Sequence, residues 1–245
     1  MPLFILSIVI QVAFIVHVIK TGRNTIWIWV LILLPLAGML AYIIVELLPE
    51  MMGGRTGRRV SRKLQSVVNP NRHINEATRN YAVADTVENT IRLAEECLSK
   101  GLYQDAKPLF EKALSGIHED DPDFMFGLAR AEFGLNNFTA TKSILDDLIV
   151  KNPNYKNVHA HLLYARAVEE LGDQAAALKE YEVLDGYYPG PEASYRYAQL
   201  LRQKGDAEKA RGVLEKIVNL SNTSGKHYNT IHKQWISKAK SELRT

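Results

Sequence analysis

Ala129-Arg-Ala-Glu-Phe-Gly-Leu-Asn136-Asn-Phe138-Thr-Ala-Thr141-Lys-Ser-Ile-Leu145 is the stretch that decides the fold. It holds a small anchor, Ala129, then Asn136 seven places on, Phe138 at nine, Thr141 at twelve and Leu145 at sixteen. The same spacing laid on Ala94, Ala165 and Ala198 meets Gly101, Gly172 and Gly205 at seven, and Tyr103, Gln174 and Ala207 at nine. It then meets Ala106, Ala177 and Ala210 at twelve and Phe110, Tyr181 and Leu214 at sixteen. The four anchors are spaced by 35, 36 and 33 residues. Self-similarity at such a period means stacked helical units. Small side chains at the anchor and twelve places later let two antiparallel helices approach, Gly or Asn permits a left-handed turn between them, and the large residue fills the gap. One pair cannot bury its own apolar faces, but stacked neighbours can.

This pattern resembles the tetratricopeptide repeat (TPR), which implies an α-solenoid of about four TPR-like helix pairs over residues 86–224. Twenty-four places after the anchors stand His118, Pro153, Pro189 and Asn222, so proline closes only the middle two units. Asp85-Thr-Val-Glu88 reads as a capping box opening the first helix. The fourth unit lacks the aromatic at Ala207. A last amphipathic segment over about 226–243, with Ile231, Trp235, Ile236 and Ala239, is predicted to cover the end of the stack, so that residues 225–245 form a C-terminal capping helix.

Working toward the N-terminus, Asp, Glu, Lys and Arg are absent from Met1 to Ile19 and again from Asn24 to Val45. About 20 apolar residues cross a bilayer core, so the spacing predicts a transmembrane helical hairpin in residues 1–50, with spans over about 3–19 and 26–48. Met1 to Phe4 carry no basic side chain and no small-x-small site follows, which argues against a cleaved signal peptide. Arg55, Arg58, Arg59, Arg62 and Lys63 after the second span outnumber Lys20 and Arg23 in the turn, a bias that places the repeat domain in the cytoplasm. Residues 51–85 read as a basic juxtamembrane helix and linker. Its five cations either bind anionic phospholipid, at about 1 kcal/mol each near a charged leaflet, or serve only as the flank of the span. The segment Trp29 to Tyr42, with Pro35 and Gly38, resembles the N-terminal membrane module of bacterial cardiolipin synthases, which implies a bacterial inner-membrane location. No histidine is followed two places later by lysine, so the catalytic motif of those enzymes is absent.

The chemistry available in the chain is sparse. Residues 1–85 hold nine Lys/Arg against four Asp/Glu, and the remainder twenty-one against twenty-three, a balance that does not suggest nucleic acid. Cys97 is the single cysteine, which excludes an intramolecular disulfide and a thiolate zinc site. His159 and His161 diverge on a helix. No cofactor, metal or catalytic set is expected, and the chain reads as a non-enzyme. What remains is a surface. The resemblance implies a concave groove lined by the first helix of each pair, receiving Phe126, Arg130, Phe133, His159, Leu162, Arg166, Tyr195, Gln199 and Arg202. Guanidinium groups with aromatics between them suit an extended peptide bearing carboxylates. Alternatively the arginines pair internally with Glu169, Glu170 or Asp123.

The whole sequence therefore reads as an all-α, membrane-anchored, non-enzymatic TPR scaffold for a protein or peptide partner in lipid metabolism or envelope assembly. The alternatives are a membrane-anchoring accessory subunit of a phospholipid-modifying enzyme and an anionic-lipid-responsive regulator.

Overall fold

A computed structural model describes residues 2–21, 25–43 and 71–244 of the chain. They fall into two compact units divided between Arg72 and His73. The first unit contains α1 (Pro2–Lys20), α2 (Ile26–Leu33) and α3 (Pro35–Tyr42). The apolar run predicted to be one span over about 26–48 breaks at Leu34, whose φ of −129° and ψ of 76° are not helical. Pro35 has no N–H to continue the ladder and instead opens a new helix. The chain then doubles back. A Cβ on Gly38 would lie 2.5 Å from the Val30 carbonyl oxygen, two residues that a straight helix would hold about 12 Å apart.

Polar groups tie this corner together. The Gln11 amide donates to the Leu31 carbonyl at 2.5 Å, and His17 Nδ1 lies 2.9 Å from the Tyr42 hydroxyl. Tyr42 is fully buried beside Val18 and Leu31, with the rings of Phe14 and Trp27 edge-on to it. Among the described residues no helix is long and apolar enough to cross a membrane. That finding overturns the predicted two-span transmembrane hairpin and, with it, the integral-membrane assignment and the cytoplasmic side given to the repeats. The bent α2–α3 corner lends no support to a cardiolipin-synthase-like module. Arg55, Arg58, Arg59, Arg62 and Lys63, on which the lipid partner rests, lie outside the described residues.

The second unit is built from α4 (Arg72–Val83), α5 (Val87–Ser99), α6 (Tyr103–Ala113), α7 (Pro122–Gly134), α8 (Phe138–Lys151), α9 (Val158–Glu170), α10 (Gln174–Asp185), α11 (Pro191–Lys204), α12 (Ala207–Thr223), α13 (Lys226–Ile231) and α14 (Lys233–Glu242). The pairs α5/α6, α7/α8, α9/α10 and α11/α12 are the four repeats. Every anchor alanine is at 0% exposure, as are Ala106, Thr141, Ala177 and Ala210. These small side chains set the close approach of each pair. Thr141 can stand among alanines because its hydroxyl donates to the Asn137 carbonyl at 3.0 Å. Phe110, Leu145, Tyr181 and Leu214 are also buried, each worth about 1.5–3 kcal/mol relative to exposure. The turn residues Gly101, Asn136, Gly172 and Gly205 all have positive φ, between 62° and 93°. Asn136 is the lone non-glycine in that region among the described residues, consistent with the tolerance of asparagine for the left-handed state.

Three local differences from the sequence reading have physical causes. The predicted linker before Asp85 contains α4, because Ile74, Ala77 and Tyr81 form an apolar stripe at helical spacing that packs beside Leu93 and Ala94. Thr86 rather than Asp85 caps α5, its hydroxyl accepting from the Asn89 N–H at 3.3 Å, while Asp85 accepts from Lys112 and Thr90. The final amphipathic segment is divided at His232, and α14 buries Ile236 and Ala239 in the core shared with α11 and α12.

Candidate partner-binding groove

The position one residue after each anchor forms a row on α5, α7, α9 and α11, occupied by Glu95, Arg130, Arg166 and Gln199. Arg130 donates to both carboxylate oxygens of Glu95, at 3.1 and 3.0 Å, and lies over the Phe126 ring. Arg166 has a second cation, Arg130, on one side of the row. It stacks instead on Phe133, with the guanidinium carbon 4.5 Å from the ring centre. Its Nε is 3.9 Å from Glu192, inside ion-pair range but too far for a hydrogen bond. Two neighbouring donors in the row, Arg166 Nε and Gln199 Nε2, are buried without a hydrogen-bond partner among the described residues. A buried donor left unsatisfied costs about 1–3 kcal/mol. Arg202 pairs with Glu242 of α14, which also accepts from the Tyr195 hydroxyl at 3.3 Å.

Arg196, which the sequence reading did not single out, organises the same surface. It donates to Glu192 at 3.1 Å and to Glu169 at 3.0 Å, and lies over the Trp235 ring. Glu169 also accepts from the Tyr181 hydroxyl at 2.6 Å. Burial, and then that bond to a carboxylate, push the Tyr181 hydroxyl far above the usual tyrosine range. The internal partners of the arginine row are thus Glu95, Glu192 and Glu242, whereas the anticipated Glu169 serves Arg196.

Of the other predicted residues, Phe126, Phe133 and Tyr195 are half-buried, and His159 is exposed with its ring edge-on to Tyr188. Leu162 is a correction: at 6% exposure it belongs to the core rather than the groove wall. His161 points elsewhere, stacking on Tyr187 and meeting Glu180 at 2.7 Å. That pair borders a separate cavity of about 620 Å³ among α8, α9 and α10. Tyr155, on its rim, is pushed up to about 12 by burial. Cys97 is 4% exposed, and burial followed by the nearby Asp105 and Glu96 pushes its thiol up, so it stays protonated. Among the described residues no group of three or more His, Cys, Asp or Glu is placed to hold a metal ion.

Part of this was available from spacing. Glu95 and Arg130 occupy one position of the repeat, 35 residues apart, so an opposite-charge neighbour could have been read directly. Glu242 has no repeat equivalent, and nothing in the period announces it.

Antiparallel pairs joined by left-handed turns, with small residues at their crossings and charged residues along the first helices, define an α-solenoid of the tetratricopeptide type. Residues 98–160 and 192–221 each match the tetratricopeptide repeat family. Over 131 residues the chain is 32% identical to the antiviral innate immune response effector IFIT1 of Macaca fascicularis, a match covering 50% of this chain. The same match covers 27% of that relative, so the chain spans about a quarter of its length. A thermophilic TPR protein of Thermus thermophilus superposes with a TM-score of 0.54 at 17% identity, covering 76% of this chain and 97% of that one. The crystal structure of MamA gives a TM-score of 0.51 at 19% identity, covering 60% and 85%. At these identities the likeness is one of fold.

Proposed function

We propose that the repeat unit is a non-enzymatic scaffold that holds an acidic, extended segment of a protein partner in its concave groove. The observation that carries this reading is two donors without hydrogen-bond acceptors at successive positions of the row, Arg166 Nε and Gln199 Nε2. A partner carboxylate beside Arg166 forms a charge-assisted bond, and a backbone carbonyl next to it takes the Gln199 amide. Neither bond requires breaking an existing one. Phe126, Phe133, Tyr195 and Trp235 supply aromatic surface along the same path, of the kind enriched at interfaces. Because Arg130 and Arg202 hydrogen-bond their carboxylates while Glu192 stops 3.9 Å from Arg166 Nε, recognition centres on Arg166 rather than on a uniform row of cations.

Selection of a random peptide library on the full chain tests the reading. The wild-type chain should enrich acidic peptides, and Arg166→Glu should bind them at least about tenfold more weakly, a change of about 1.4 kcal/mol, with the helical content by circular dichroism retained at the binding temperature. Enrichment of peptides that Arg166→Glu binds equally well would contradict it.

A further inference from the structure

The end of α12, together with α13 and α14, encloses a cleft of about 540 Å³ whose charged side chains are all basic. Lys233, Lys240 and Arg244 line it, with the hydroxyls of Ser237 and Ser241 between them. The charge is concentrated there. Residues 219–245 hold five Lys/Arg and one Asp/Glu, whereas residues 86–218 hold sixteen against twenty-two. The lone acid, Glu242, is engaged with Arg202 and Tyr195 of α11. Lys238 lies over the rings of Trp235 and Tyr195. Lys233, Lys240 and Arg244 are left without a carboxylate partner among the described residues. Asn229 adds a second signal. Its amide donates to the Ser221 carbonyl at 2.9 Å, but its Oδ1 is buried with no donor among the described residues.

We propose that this cleft binds a small, multiply phosphorylated anion. Three cations that share one opening repel one another, and an anion seated between them removes that repulsion and adds attraction. Phosphoryl oxygens accept from a guanidinium fork, from ammonium groups and from serine hydroxyls, which are the donors present. The buried Asn229 Oδ1 accepts from a ligand hydroxyl. The volume lies within the roughly 300–1,000 Å³ typical of small-molecule sites. A nucleic acid or an anionic surface longer than the cleft would meet the net acidic repeats, so the occupant is compact. This site is separate from the groove, and either reading can fail without the other.

Calorimetric titration of the full chain with inorganic tripolyphosphate tests it. Saturable binding should weaken as salt is raised. The double variant Lys240→Ala/Arg244→Ala should bind at least about tenfold more weakly, while Lys238→Ala binds as wild type. Both replaced side chains are exposed, so circular dichroism and the unfolding temperature should match wild type. Lys240→Gln alone provides the same reading at smaller amplitude. Absence of saturable binding, equal binding by the double variant, or binding confined to single-stranded RNA or an acidic peptide would overturn the proposal.

Discussion

Along the first helices of the repeats Arg130 meets Glu95, Arg202 meets Glu242, and Arg196 holds both Glu169 and Glu192. Around the C-terminal cleft Lys233, Lys240 and Arg244 meet no carboxylate among the described residues. The two surfaces are alike in cation content and opposite in commitment. Three of the arginine pairs join separate helices: Arg130 on α7 to Glu95 on α5, Arg196 on α11 to Glu169 on α9, and Arg202 on α11 to Glu242 on α14. The cleft lies beyond α11, and the one acid of that region, Glu242, is engaged with Arg202 and Tyr195. Charge inside the stack therefore belongs first to the fold, and Arg166 Nε and Gln199 Nε2 are left without a hydrogen-bond acceptor among the described residues. Charge at the end of the stack has no such duty.

Loss of Arg196 should give the largest effect. Arg196→Ala removes the cation shared by Glu192 and by Glu169, which accepts from the buried Tyr181. Breaking a buried pair costs about 3–5 kcal/mol, and the 20% exposure of the Arg196 side chain reduces the expected loss to about 2–3 kcal/mol. Urea unfolding measures it, and a loss under about 0.5 kcal/mol would place the groove charges in the same class as those of the cleft.

Tyr181→Phe comes next, at about 1 kcal/mol for one hydrogen bond to a carboxylate. Its pH signature is more specific. Folded Tyr181 keeps its proton well above the usual tyrosine range, whereas the unfolded side chain loses it near pH 10. Above that pH the unfolded state binds fewer protons, so stability should fall as pH rises through 10, and less steeply in Tyr181→Phe. Identical alkaline slopes would remove Tyr181 from the network.

A smaller effect of opposite sign belongs to His232. Burial pushes its imidazole down, and its ring packs against Gly190 and Tyr228. Just below the ordinary histidine pKa of about 6.5 the unfolded state takes up a proton that the folded state does not. Stability should therefore decline as pH falls through that value, and His232→Gln should flatten the decline in chemical denaturation at pH 7.5 and 5.5. The triple change Lys233→Ala, Lys240→Ala and Arg244→Ala should alter stability least, within about 0.5 kcal/mol. A larger loss would give these cations a structural role and erase the contrast with the groove.

Most of the repeat unit was legible in the sequence because its constraints are local and periodic. A left-handed turn admits Gly or Asn, so Gly101, Asn136, Gly172 and Gly205 announced themselves, and four alanine anchors marked the helix crossings. The groove was legible as a set of positions but not as a set of pairs. Helical spacing places Arg166 on a face without saying that Glu192 stops 3.9 Å short of it. Arg196 escaped notice because it lies two residues before its anchor, outside the row that the period highlights. The N-terminal unit was misread for a different reason. Hydropathy counts apolar residues without regard to chain direction, and the turn at Leu34 and Pro35 converts one long apolar run into two helices of eight residues each. Gly38, which the hydropathy of the run does not single out, lets α3 approach Val30.

The central claim is that a partner segment lies along the concave face. A photoreactive phenylalanine analogue at Phe133, beside the Arg166 guanidinium, and another at Ile149, on the rim of the cavity bounded by α8, α9 and α10, would be irradiated with a library-selected acidic peptide. Crosslinking at 133, absent from 149 and suppressed by Arg166→Glu, is the predicted result. Crosslinking at 149 with none at 133 would contradict the account.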